Sequence, residues 1–107
     1  MVFILIKDIK AVERLKQIKL FVLDIDGTFY VSQKLVNGAL KFSTLLKRQN
    51  KKLVFLTNNS NKSKKEYLQE FDALNYPIKE NEIYTAGIAA AEYIKDKFGP
   101  KRIFLVA

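Results

Sequence analysis

Leu20-Phe21-Val22-Leu23-Asp24-Ile25-Asp26-Gly27-Thr28 is an almost continuous apolar run closed by two aspartates and a glycine. A run of this kind predicts a strand buried on both faces of a parallel sheet. Lys52-Leu53-Val54-Phe55-Leu56 repeats the pattern and ends in the polar run Thr57-Asn58-Asn59-Ser60, and Ile103-Phe104-Leu105-Val106 predicts a third buried strand. Helical periodicity fills the intervals. After a linker holding Asn37-Gly38, residues 39–49 place Ala39, Phe42, Leu45 and Leu46 on one face. Ser63 and Glu66 have capping-box spacing ahead of a helix whose apolar side is Tyr67, Leu68, Phe71 and Leu74, and which Asn75-Tyr76-Pro77 ends. Ile83-Tyr84-Thr85 reads as a short extended piece. Ala86 to Phe98 reads as an alanine-rich helix with Ile88, Ala91, Ile94 and Phe98 inward, closed by Gly99-Pro100. Upstream, Ile9, Val12, Leu15 and Ile18 predict a short amphipathic helix over Asp8 to Lys19.

Alternation of strands and helices implies an α/β fold, a three-layer sandwich around a parallel sheet. The expected division is an N-terminal helical extension, residues 1–19, followed by residues 20–107 as the first part of a larger core domain. The reason is that no helix follows the third strand to cover the sheet. With 107 residues and 49% hydrophobic content the chain supports one core and not two. The absence of Cys and His excludes disulfides, thiolate metal sites and imidazole catalysis, so any chemistry rests on carboxylates, hydroxyls, amides, lysines and a borrowed metal. The net charge of +8 favours anionic partners, but the basic residues are spread over expected helix ends and loops, and no aromatic-basic stripe marks a nucleic-acid binder. The apolar run Val2 to Ile6 is far too short to span a bilayer, and the chain is read as cytoplasmic.

Open α/β sheets bind ligands at the carboxyl ends of their strands. Asp24 and Asp26, two residues apart on an extended segment, are expected to project together. Such a pair repels itself unless a cation, a shared proton or loop donors stabilise it, and an oxygen-seeking ion such as Mg2+ suits it. An Asp-Gly turn ending a strand is the plainer reading, although it leaves Asp24 inside the apolar run unexplained. Thr57, Asn58, Asn59 and Ser60, ahead of a helix, offer hydroxyl, amide and backbone N–H donors for an anion such as phosphate. Taken alone that loop reads better as an ordinary capped turn. If the first two strands are neighbours, about 4.8 Å apart, a carboxylate nucleophile faces a phosphate cradle.

These residues resemble a known family. Asp24-Ile25-Asp26-Gly27-Thr28 resembles the DxDGT signature of the haloacid dehalogenase-like phosphohydrolases, and Leu56-Thr57-Asn58-Asn59-Ser60 their second motif. The TNNS spelling, Lys62 to Tyr67 and Ile83 to Ile94 are similar to the NagD-like, para-nitrophenylphosphatase branch. The resemblance implies that Asp24 attacks phosphorus to form an aspartyl-phosphate and that Asp26 acts as general acid and base. It implies Mg2+ on the Asp24 carboxylate and the Asp26 carbonyl, and phosphoryl oxygens on Thr57, Asn58 and Asn59. Residues 28–36 would form a flap, and the substrate would be a small phosphorylated metabolite.

The family's third-motif Lys or Arg is not assignable among the many lysines, and none of the four glycines is followed by the Asp of its fourth motif. The cap domain that selects substrate in this branch is absent from the sequence. The 107-residue polypeptide is therefore expected to be weakly active or inactive by itself. A non-catalytic scaffold that binds phosphate or protein is the alternative, and an exposed sheet edge is expected to allow self-association.

Overall fold

In a computed structural model of the chain, residues 9–104 are described. Along the chain run α1 (Ile9–Gln17), β1 (Leu20–Asp24), a hairpin of β2 (Tyr30–Val31) and β3 (Lys34–Leu35), and α2 (Ala39–Arg48). Then follow β4 (Lys52–Thr57), α3 (Lys64–Ala73), a 3-10 turn at Glu80–Glu82, β5 (Ile83–Thr85) and α4 (Ala86–Phe98). The main sheet is parallel with order β1-β4-β5. Phe21 is level with Leu53, Leu23 with Phe55, Asp24 with Leu56, and Thr57 with Thr85. Strand, helix and strand thus alternate as expected, and the two segments with candidate chemistry are adjacent strands.

The third strand is not the one anticipated. Ile83 to Thr85 supplies it, pairing with Phe55 to Thr57 and burying Ile83 and Thr85. Residues 101–104 have no regular structure, and Ile103 and Phe104 are exposed, while Leu105 and Val106 lie outside the described residues, as does Val2 to Ile6. The short segment gains a ladder and two buried side chains, which its length alone does not announce.

Nor are the strands buried on both faces. One face (Phe21, Leu23, Leu53, Phe55, Thr57, Ile83, Thr85) is covered to differing degrees, whereas Leu20, Val22, Leu56 and Tyr84 on the other remain exposed. Topology explains the asymmetry. The crossovers through α2 and α3 step in one direction across the sheet, so right-handedness puts both helices on one side. Of the four helices, α4 reaches the opposite side, where Ile88 and Ala89 border hollows shared with Val22, Leu56 and Tyr84.

The core lies between the covered face and α3. Ile25, Phe29, Tyr30, Phe55, Tyr67, Phe71, Tyr76 and Ile83 form one cluster, with ring centroids of Phe29 and Phe55 4.7 Å apart and those of Phe55 and Phe71 4.8 Å apart. Helix α2 buries Ala39, Ser43 and Leu46, while Phe42 and Leu45 stay largely exposed and Phe42 meets the edge of Phe21. Two of the three residues on the buried stripe are small, and the Ser43 hydroxyl is satisfied by the Leu40 carbonyl at 3.0 Å. Neither α1 nor α4 buries a residue fully, so the inward positions expected at Ile9, Leu15 and Ala91 are solvent-accessible.

Candidate active site

The chain leaves β1 at Asp24, and Ile25 drops into the core at 0% exposure. Gly27 then turns with φ of +81°, a conformation that costs an L side chain about 1–2 kcal/mol. The Gly27 N–H donates to the Tyr30 carbonyl at 3.0 Å, and the Thr28 and Phe29 N–H groups donate to the Ile25 carbonyl. Exposure still alternates past the end of the strand, with Ile25 buried between exposed Asp24 and Asp26. The two carboxylates face different partners: Asp24 Oδ2 accepts from the Thr28 hydroxyl at 3.0 Å, and Asp26 Oδ2 from the Tyr67 hydroxyl at 2.6 Å. They also border separate hollows. Asp24 shares one of about 490 Å³ with Leu56, Thr57, Asn58, Tyr84 and Thr85, and Asp26 one of about 450 Å³ with Tyr30, Ser32, Gln33, Lys62 and Glu70.

At the end of β4, Thr57 is 2% exposed. Its side chain lies on the covered face and meets the Tyr67 hydroxyl at 3.2 Å, whereas Asp24 is level with exposed Leu56. Thr57 Oγ1 accepts from the Asn59 N–H at 3.1 Å, and Asn59 Oδ1 from the Asn61 N–H at 2.9 Å, so the loop folds back on itself through side-chain turns. Asn58 is exposed and Asn59 half-buried. The segments bearing Asp24 and Thr57 therefore meet at one rim through their backbones, while the Thr57 hydroxyl is turned beneath it.

The N-terminus of α3 is already occupied. Ser63 Oγ accepts from the Glu66 N–H at 3.2 Å, and the Glu66 carboxylate accepts from the Ser63 N–H at 2.6 Å, which holds Glu66 below the usual carboxylate range. Four residues past that cap, Tyr67 is 0% exposed. Burial first, then the neighbouring Asp26, pushes its phenol above the ordinary value, against an opposing pull from the Thr57 and Asn59 side chains. The adjoining cluster is an ion pair between Lys62 and Glu70 at 2.8 Å, with the Tyr30 hydroxyl donating to Glu70. The Lys62 ammonium also sits 5.4 Å from the Tyr67 ring centroid. The Lys62 charge is raised in basicity by Glu70 and is shared with it.

Asp24 offers an exposed carboxylate, and Asp26 a second one beside it in the chain, both hard oxygen donors of the kind Mg2+ takes. Among the described residues no three acidic side chains cluster as a ready metal cage, so the fit is one of donor chemistry, with water needed to complete a shell.

Comparison with known proteins identifies the family. Residues 21–107 match the haloacid dehalogenase-like hydrolases. The chain belongs to that family. It is 35% identical over 91 residues to phosphoglycolate phosphatase 1A, chloroplastic, of Arabidopsis thaliana, covering 85% of this chain and 25% of that protein. It is 29% identical over 92 residues to an acid sugar phosphatase of Staphylococcus haemolyticus, covering 86% and 35%. The fold superposes on a 4-nitrophenylphosphatase from Thermotoga maritima with a TM-score of 0.80 at 39% identity, covering 84% of this chain and 34% of that one. The haloacid dehalogenase-like chain thus spans about a quarter to a third of the length of these relatives.

Tyr67, Tyr30, Lys62 and Glu70 were not anticipated as parts of the site. Tyr67 carried one usable signal, a phenol in the first turn after a capping box, immediately downstream of the polar loop. The contact of Tyr30 with Glu70 joins residues 40 apart in sequence, and no local pattern announces it.

Proposed function

We propose that this chain carries the nucleophile-bearing part of a Mg2+-dependent phosphomonoester hydrolase working through an aspartyl-phosphate. The observation that carries the reading is the exposed Asp24 at the carboxyl end of β1, beside the Thr57-Asn58-Asn59 end of the adjacent parallel strand. In the first displacement the Asp24 carboxylate bonds to phosphorus as the P–O bond to the alcohol breaks, and Asp26 supplies the proton the alcohol needs. In the second, water bonds to phosphorus, the aspartyl bond breaks, and Asp26 takes the water's proton. The loop of Thr57, Asn58 and Asn59 would bind the phosphoryl oxygens. With the Thr57 hydroxyl engaged by Tyr67 and the Asn59 N–H by Thr57, the exposed Asn58 leads the donors this loop can turn to an anion. Mg2+ would be held by the Asp24 carboxylate and the Asp26 carbonyl, and when bound it would offset charge on the phosphoryl group.

The names of the relatives point to small phosphorylated metabolites as substrates. The alternative, a non-catalytic scaffold binding phosphate or protein, takes its support from the engagement of Thr57 and Lys62 with other side chains.

Beryllofluoride with Mg2+, which mimics an aspartyl-phosphate, tests the reading without requiring turnover. Amide resonances of Asp24, Asp26, Asn58 and Asn59 are expected to shift, and Asp24→Asn to abolish the effect. No shift in the wild-type chain, or one that survives Asp24→Asn, overturns the covalent mechanism. Binding of inorganic phosphate that ignores both Mg2+ and Asp24→Asn favours the scaffold.

A further inference from the structure

We propose that Tyr67 is a positioning residue that holds the Asp26 carboxylate against the loop following β4, joining the two motifs through a single phenol. The proposal rests on the assignment of Asp26 as acid and base. Tyr67 has one proton, and the 2.6 Å contact spends it on Asp26 Oδ2. Its contact with Thr57 at 3.2 Å must then use the Thr57 proton and a lone pair of the phenol. The remaining lone pairs of Thr57 Oγ1 receive the Asn59 N–H. Donor direction therefore runs one way, from the Asn59 amide to Thr57, from Thr57 to Tyr67, and from Tyr67 to Asp26.

Every link of this relay has its partner, and among the described residues no buried side-chain polar atom is left unsatisfied. Rigidity comes from the ring: Tyr67 is wholly enclosed in the aromatic cluster and held beneath the Lys62 ammonium. By contrast Asp26 is itself exposed, just ahead of the turn made by Gly27, so backbone geometry alone leaves its side chain free to rotate. A proton-transfer group that swings between rotamers is in reach of the leaving oxygen only part of the time, and a fixed donor removes that loss. The relay also accounts for the buried Thr57 hydroxyl, which serves the acid-base residue through Tyr67.

The test is Tyr67→Phe, which keeps the ring and removes only the hydroxyl, studied by NMR on the 107-residue chain at constant neutral pH. In the wild type the Asp26 carboxyl carbon is expected to show an isotope shift between H2O and D2O, and couplings reporting one side-chain rotamer. In Tyr67→Phe the isotope shift is lost, the couplings average, and the Asn59 amide moves. Leu68→Ala, on the same helix and half-buried, controls for packing and is expected to leave the Asp26 signals in place. Unchanged Asp26 signals in Tyr67→Phe, or equal changes in Leu68→Ala, would overturn the proposal. Failure of the wild type to bind beryllofluoride would remove the aspartyl-phosphate reading and leave the hydrogen-bond measurement standing.

Discussion

Tyr30 and Tyr67 place two phenols beside carboxylates inside the cluster that supports the site. Burial, reinforced by Glu70 for Tyr30 and by Asp26 for Tyr67, raises both above the ordinary tyrosine value of 10.0. In the unfolded chain the same phenols ionise at the ordinary value, so above it the unfolded state binds fewer protons and stability falls as pH rises. The stabilisation is fully present below pH 10.0 and is lost through the alkaline range. Urea denaturation between neutral pH and the alkaline range is expected to show this loss. Tyr30→Phe should flatten it, and an unaltered alkaline slope in that variant would show that Tyr30 is not responsible. The acidic pair and the polar loop were legible at this scale because residue type and spacing state their chemistry. The separate partners of Asp24 and Asp26, Thr28 and Tyr67, were not legible, since the Tyr67 contact joins residues 41 apart in sequence.

Among the elements, α3 does the most to organise the site, because its first turn carries Tyr67 and its second Phe71, both wholly buried. Its start was readable from Ser63 and Glu66, and the reciprocal capping bonds formed as the spacing required. Ser63→Ala should cost about 1 kcal/mol in denaturant-induced unfolding, the usual loss for an N-cap hydroxyl. It should also increase hydrogen exchange at Glu66 and Tyr67, and unchanged exchange there would mean that packing alone holds the turn. The hairpin was less legible. Ser32 and Gln33 both adopt positive φ, 48° and 64°, in a two-residue connection that usually recruits Asn and Gly, so composition gave no turn signal. Helix α1 is tied by a different long-range contact: the Lys51 ammonium donates to the carbonyls of Leu15, Lys16 and Ile18, which caps a C-terminus 33 or more residues upstream.

Taken as a whole, the described chain is open on one side. Its radius of gyration is 16.8 Å, against roughly 13 Å for a well-packed domain of a hundred residues. Among the described residues β1 has no strand on its outer edge, and Leu20, Val22 and Leu56 leave an apolar strip beside it. Edge strands of this kind pair with other chains unless charge prevents it. The +8 net charge opposes such pairing through repulsion that salt screens. Sedimentation velocity is expected to show association that grows with concentration and with salt, and Val22→Lys should suppress it. A monodisperse wild type at high salt would refute this reading of the edge.

By itself the sequence determined the order of strand and helix, the capping of α3, and which carboxylates and polar groups close the first two strands, because each of these follows from local periodicity or residue chemistry. Only the tertiary structure decided that one sheet face is covered, that Ile83 to Thr85 pairs with β4 as a strand of the sheet, and that Thr57 turns beneath the rim to meet Tyr67. Handed crossovers and competition for burial fix those outcomes, and both act between residues that are distant along the chain.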